Sequence, residues 1–344
     1  MRAGELPLAG VRVVECGGIG PGPFAAMMLA EMGAEVVRIE RPGAEGLFGM
    51  TRAQDPLLRG KNFVELDLAD PADASQLRAL IVDSDVLIEG FRPGVMERLG
   101  FGPEDCARIN PRLVYGRMTG WGQSGSRAQE VGHDINYIAV TGALAAIGPG
   151  GPGEAAPAVP LNLVGDFGGG SLYLVSGLLA ALFARDRTGR GRTVDAAIVD
   201  GVCHLMGLVW GLGAAGQWEP RREANLFDGG APFYRVYATS DGLHIAVGAV
   251  EPKFYARFLA VLGLPELLDR QYERAGWEID RDRIAEAVRR RTRAEWERAF
   301  AGVDACVTPV LSLAEAAADE HLLARRSLSA DGGPPLPGPA PRFG

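Results

Sequence analysis

Two glycine-flanked stretches carry the residues best suited to moving a proton. Gly132-His133-Asp134-Ile135-Asn136-Tyr137 sets a histidine beside a carboxylate, and Asn162-Leu163-Val164-Gly165-Asp166-Phe167-Gly168-Gly169-Gly170 supplies another carboxylate farther on. A third stretch, Val247-Gly248-Ala249-Val250-Glu251-Pro252, adds one more. The unperturbed imidazole pKa lies near neutrality, so a single histidine can both take and return a proton. His133, in a loop beyond a predicted strand, is placed for that work, whereas His204, His244 and His321 fall in helix or strand patterns and read as structural. Asp166 has a competing role, because aspartate is a good N-cap and a helix is expected from near Gly168. A helix dipole would lower its pKa and burial would raise it. Glu251, before Pro252, has the same competing role as a cap.

A second group of residues could hold an anion. Arg38, Arg41, Arg59, Lys61 and Arg92 fall at the ends of predicted strands or in the loops after them, where open parallel sheets bind ligands. The planar guanidinium fork matches phosphate oxygens. Taken singly, each is as well explained as a solvated loop cation. Gly18-Ile19-Gly20 follows a strand and opens a helix, and Glu40 ends the next strand, as in a dinucleotide loop. Pro23 occupies the third glycine position, however, and Arg38 and Arg41 flank the acid, which suits phosphate better than a free ribose diol. NAD is therefore a minor reading, and a plain structural turn accounts for the glycines equally well.

The elements that position these residues alternate between strand and helix. Val11–Glu15, Glu35–Ile39, Phe63–Leu66, Asp85–Glu89 and Leu113–Gly116 read as strands, with helices at Phe24–Met32, Pro71–Val82 and Val95–Leu99 between them. Asp70 is the expected cap of the second helix. Parallel strands need such crossovers, so residues 1–203 read as an open α/β sheet. Leu172–Ala184 reads as a buried core helix. Residues 204–227, with Trp210 and Trp218, read as a linker helix. Phe233–Tyr237 and Leu243–Val247, joined through Ser240-Asp241-Gly242, signal a hairpin that opens a smaller domain over 228–315. The segment 316–344 is proline-rich and is expected to run along the surface back to the larger domain.

Composition bounds the function. A chain of 344 residues is long for one core. A formal net charge of −8 argues against a nucleic-acid partner, yet leaves room for an anionic small ligand held by local arginines. Cys16, Cys106, Cys203 and Cys306 are scattered, with no metal or redox spacing. No leader pattern and no convincing membrane span are read, so a cytoplasmic protein is expected.

Together these stretches, with Val36-Val37-Arg38-Ile39 and Phe91-Arg92-Pro93-Gly94, resemble the α-methylacyl-CoA racemases, a branch of the family III CoA-transferases. The resemblance runs from Val13-Val14-Glu15 to Pro341-Arg342-Phe343. It implies a large Rossmann-like open parallel-sheet domain plus a smaller α+β domain, assembled as an interlocked homodimer. It further implies racemisation of 2-methylacyl-CoA thioesters by 1,1-proton transfer at the α-carbon through an enolate. His133 and Asp166 would be the two bases, Glu251 a support acting in trans, and the Asp134 backbone amide the enolate donor. Arg38, Arg59, Lys61, Arg92, Tyr137 and Asn162 would contact the CoA substrate. The resemblance implies no cofactor and no metal, since CoA is part of the substrate. Two alternatives stand beside it. One is a CoA-transferase using Asp166 as nucleophile, in which an aromatic residue usually replaces the histidine. The other is a non-catalytic acyl-CoA binding protein.

Overall fold

A computed structural model describes residues 6–44, 46–150, 155–329 and 335–344. The β-branched runs form a six-stranded sheet: β1 (Arg12–Cys16), β2 (Glu35–Glu40), β3 (Lys61–Glu65), β4 (Val86–Glu89), β5 (Val114–Thr119) and β6 (Thr193–Ala197). All pair in parallel in the order β3-β2-β1-β4-β5-β6. That is the dinucleotide-fold order, with its topological switch between β1 and β4. Val13, Val14, Val36, Ile39, Val86, Leu87 and Ile88 are buried, as strands covered by helices on both faces require. β6 has no counterpart in the sequence reading. It is an edge strand with exposed Thr193 and Asp195, and it lacks the apolar run by which a central strand is recognised.

Helices cover the sheet. α1 (Pro21–Glu31) begins with Pro21 at its first position and with Gly20 as N-cap at φ 67°, a backbone region open to glycine. α2 (Pro71–Val82) is capped by Asp70, whose carboxylate accepts from the Ala72 and Asp73 amides. α3 (Val95–Arg98), α4 (Pro103–Ile109), α5 (Asp134–Val140) and α6 (Ala143–Ala146) follow. A π-helical segment, Leu163–Ser171, then runs directly into α7 (Leu172–Thr188). The 26 residues Leu163–Thr188 are long and apolar enough to cross a membrane by length and composition alone. Leu174, Val175, Leu178 and Leu182 are buried and α7 packs on β5 and β6, which is the work of a core helix. α8 (Ile198–Leu205) lies against the π-helical segment so closely that a Cβ on Gly201 would come within 1.9 Å of the Gly169 carbonyl oxygen.

The elements that follow include α9 (Gly207–Ala214), β7 (Tyr234–Ala238), β8 (His244–Gly248), α10 (Pro252–Leu262), α11 (Trp277–Val288), α12 (Arg293–Phe300) and β9 (Val307–Pro309). β7 and β8 form the expected antiparallel hairpin, and β9 adds to β8. β9 was not read from the sequence, since three residues carry no periodicity. The elements from β7 onward enclose a separate aromatic core that includes Phe233, Tyr255, Phe258, Trp277, Trp296 and Phe300.

The chain divides into a unit of Met1–Ala143, Pro160–Gly207 and Leu336–Gly344 and a unit of Leu144–Val159 and Leu208–Pro335. These bounds differ from the expected ones in three places. The segment 204–227 forms no single linker helix: α8 ends at Leu205, α9 spans Gly207–Ala214, and the chain from Leu208 belongs to the second unit. The stretch after α5 belongs to the second unit, and the return to the first begins at Leu336 rather than at residue 316. Arg59 donates to the Pro337 carbonyl at 2.6 Å, tying the returning tail to the larger unit. Within the proline-rich tail, residues 330–334, Pro334 among them, lie outside the described residues.

Candidate active site

The π-helical segment changes the reading of Asp166. Helical turns begin at Leu163, not near Gly168, so Asp166 stands inside the segment with Asn162 as its N-cap residue. Its carboxylate is free of capping duty and accepts instead from the Asn162 side-chain amide at 3.3 Å. Burial pushes the Asp166 pKa up; the Asn162 hydrogen bond lowers it, the Asp134 charge raises it and His133 lowers it. The balance left open in the sequence thus falls on the side of a carboxyl that holds its proton more tightly than usual.

His133 is the residue before α5 and is exposed, its own amide donating to Asn136 Oδ1 at 3.0 Å. α5 is joined to the π-helical segment by the Asp134 carboxylate, whose Oδ2 accepts the Asp166 amide at 2.7 Å. His133 and Asp166, 33 positions apart in the sequence, are therefore brought together by a part-buried hydrogen bond and by the packing of α5 on the π-helical segment. The first glycine loop closes on the same carboxylate. A Cβ at Gly20 would lie 3.1 Å from Asp166 Oδ2, and Ser171 Oγ bridges the carbonyls of Pro21 and Asp166 at 2.8 and 3.0 Å. Phe24 stacks on Phe167 with centroids 4.5 Å apart. The loop that resembled a dinucleotide signature thus also serves as the wall beside Asp166.

Tyr137 is buried, and its hydroxyl donates to the Gly132 carbonyl. The ring crosses Trp121 edge-on at 4.8 Å, in the space kept open by Gly120, where a Cβ would fall 2.0 Å from the ring. Tyr137 thereby holds the backbone just before His133. Both line a cavity of about 500 Å³ with Arg92, Trp121, Glu130 and Asn136. Arg92 is exposed and has no ion pair among the described residues.

A larger cavity, about 610 Å³, opens at the switch between β1 and β4. Arg38 and Arg41 line it, together with Gly17–Gly20, Leu57, Leu58 and Arg98. Every guanidinium nitrogen of Arg38 is engaged, with Glu15, with Glu40 at 2.9 Å, and with the carbonyls of Gly17 and Gly18. Lys61 is enclosed, its ammonium 2.6 Å from Glu15 and 2.9 Å from the Pro23 carbonyl. Arg59 pairs with Glu31. Of the cations expected to contact the substrate, these three are spent on the fold, and a free hand toward an anion is left to Arg92. Glu40 also pairs with Arg52, which leaves it no lone ribose-binding role. Arg98, which the sequence reading did not single out, lines the cavity without an ion pair among the described residues; it is a helix residue, and helix cations are ordinarily solvated.

Glu251 stands at the N-terminus of α10 in the second unit, its side chain exposed and making no cap hydrogen bond. Its turn is held from behind, where Gln271 Nε2 and Tyr272 Oη donate to the Val250 carbonyl at 2.8 and 2.7 Å. Among the described residues, no group of three or more His, Cys, Asp or Glu is placed to hold a metal ion.

The model of the CoA-transferase family III domain matches residues 8–342. The chain belongs to that family. It is 46% identical to the alpha-methylacyl-CoA racemase of Mus musculus over 98% of this chain and 86% of that one. The Homo sapiens alpha-methylacyl-CoA racemase is 46% identical over 92% and 81%. A transferase is more distant: the acetyl-CoA:oxalate CoA-transferase of Acetobacter aceti is 31% identical over 96% and 88%. Among solved structures, a hypothetical protein from Mycobacterium tuberculosis superposes with a TM-score of 0.83 at 25% identity, covering 98% of this chain and 93% of that one. A CaiB/BaiF family protein from Brucella suis, at 24% identity and a TM-score of 0.80 over 98% and 93%, shares the fold.

Proposed function

We propose that the protein interconverts the two enantiomers of 2-methylacyl-CoA thioesters by moving the α-proton through an enolate. The observation that carries this reading is the joining of His133 to an Asp166 whose carboxyl holds its proton above the usual carboxylate range, in a family whose relatives at 46% identity are named racemases. Inversion needs a base on one face of the α-carbon and a conjugate acid on the other. A neutral aspartic acid and a neutral imidazole meet that need in one direction, and their exchanged forms meet it in the other. The Asp134 amide, in the first turn of α5 with no intrahelical acceptor, is suited to donate to the enolate oxygen.

CoA arrives as part of the substrate, and the reaction asks for no redox group. The cavity at the β1/β4 switch has the size and place for the nucleotide end of the carrier, and Arg92 the position for an anionic group nearer His133. A homodimer fits the same reading. α9 carries no charge and buries none of its eight residues, and Leu208 and Trp210 on it are each 61% exposed. Glu251 is proposed to support the histidine across such an interface. Four free cysteines support a reducing compartment, the cytoplasm.

The test is nuclear magnetic resonance of a 2-methylacyl-CoA in heavy water with purified protein. Loss of the α-proton signal together with inversion is expected. Transfer of CoA between two carboxylic acids without deuterium uptake would establish the transferase reading, and binding with neither reaction would leave an acyl-CoA carrier.

A further inference from the structure

The Asp134 side chain has no part in the chemistry above, which uses only its amide, yet it is a buried carboxylate bonded to the backbone of Asp166. It is 6% exposed, and no lysine or arginine pairs with it among the described residues. Oδ2 accepts the Asp166 amide at 2.7 Å, while Oδ1 is buried with no hydrogen-bond partner among the described residues. A buried carboxylate without a cation and with one bare oxygen is costly, and proteins keep such groups where the charge has a use. The neighbouring backbone is shaped to admit it. A Cβ at Gly165 would fall 2.4 Å from Asp134 Oδ2 and 3.1 Å from Ile138 Cγ2, so only glycine lets the segment settle on this carboxylate.

We infer that the Asp134 carboxylate is the positioning residue of the proton-transfer pair, fixing the Asp166 backbone relative to His133 and keeping a negative charge beside the Asp166 carboxyl. The inference rests on the racemase reading for its kinetic consequence but not for its geometry. The charge acts with few competitors. Facing Asp166 are His133 before α5, Asp134 and Tyr137 from α5 and the Asn162 amide at the start of its own segment. The glycine loop before α1 brings only Gly20 against it, and Glu31 at the far end of α1 is paired with Arg59. α8 packs through Gly201 and Val202; its His204 is bonded to Tyr173 of α7, and its Asp200 and Cys203 make no hydrogen bond to Asp166. The coulombic effect of Asp134 on Asp166 is upward, in the sense the geometry requires.

Two substitutions separate position from charge. Asp134→Asn keeps a carbonyl acceptor for the Asp166 amide and removes the charge, whereas Asp134→Ala removes both. Racemisation of a 2-methylacyl-CoA is followed against pH, and the Asp166 carboxyl is titrated by carbon-13 resonance in the substrate-free protein. Asp134→Asn is expected to fold, to move the Asp166 titration and the matching limb of the kcat profile to lower pH, and to leave KM within about twofold. Asp134→Ala is expected to lower kcat by ~10²-fold, the effect of a displacement of about 1 Å at a reacting group. An unmoved Asp166 titration in the Asp134→Asn variant, or wild-type kcat in the Asp134→Ala variant, overturns the inference. If the wild-type protein does not racemise, the racemase reading fails by itself, and the resonance titration still decides the geometric claim.

Discussion

In the proposed reaction the Asp166 carboxyl, raised above its ordinary range by burial, and the exposed His133 imidazole are the acid and base, and the cost shows in stability. An aspartate in the unfolded chain ionises near pH ~4, whereas burial holds the folded Asp166 carboxyl protonated to higher pH. The folded state therefore binds the proton more tightly, and stability falls as pH rises from the unfolded value through the folded one. Asp166→Asn removes that penalty and retains an acceptor for Asn162. It is expected to lose racemisation by at least ~10²-fold while raising the thermal midpoint at neutral pH, a gain that vanishes below pH ~4. Calorimetry at two pH values checks it; a midpoint lowered at neutral pH would mean that Asp166 is structural. The arginines divide in the same way. Arg92→Ala should raise KM for the thioester and leave the midpoint in place, because its side chain is exposed and has no ion pair among the described residues. Arg38→Ala strips Glu15 and Glu40 of a buried partner and should cost about 3–5 kcal/mol, read by denaturant unfolding. Equal effects of the two on KM and on stability would show that the division is wrong.

At the scale of elements, the site depends on close backbone approach. α8 lies on the π-helical segment with Gly201 over Gly169 and Val202 against the same glycine, and Gly170 faces Met118, Ile198 and Pro21. Gly169 and Gly170 are therefore packing requirements, which the expectation of a helix starting near Gly168 did not show. A methyl at Gly201 meets backbone that cannot rotate aside, so Gly201→Ala is expected to cost about 1–3 kcal/mol or more and to lower racemisation by displacing Asp166. Thermal unfolding equal to wild type would show that α8 can slide without consequence. The Asp70 cap and the β7–β8 hairpin were legible because each is local, set by side chains within a few residues of one another. β6 and the π-helical start at Leu163 were not, because pairing with β5 and packing against α8 are decided by residues distant in sequence.

For the whole molecule, the unresolved need is cover for α9, an uncharged helix with no buried residue. The proposed homodimer predicts that the protein sediments as a dimer and stays so on dilution. A variant combining Leu208→Asp and Trp210→Asp is expected to shift toward monomer and to lose activity in proportion. An active wild-type monomer at nanomolar concentration would remove the dimer and with it the proposed role of Glu251 across an interface.

The sequence by itself determined the alternation of strand and helix, the positions of His133 and Glu251 at element ends, and the family to which these stretches are similar. Those properties follow from periodicity, turn chemistry and motif spacing, all of which act over short distances along the chain. Only the tertiary structure decided which cations are free and which side of its pKa range Asp166 occupies. Arg38, Arg59 and Lys61 looked like Arg92 in sequence, but Glu15, Glu40 and Glu31 claim the first three once the strands and α1 come together. Asp166 looked like a helix cap, but the helical turns start at Leu163, Asp134 from an element more than thirty residues away accepts its amide, and burial raises its carboxyl pKa. Charge pairing and desolvation depend on which groups meet in space, and that is set by the fold rather than by the order of the residues.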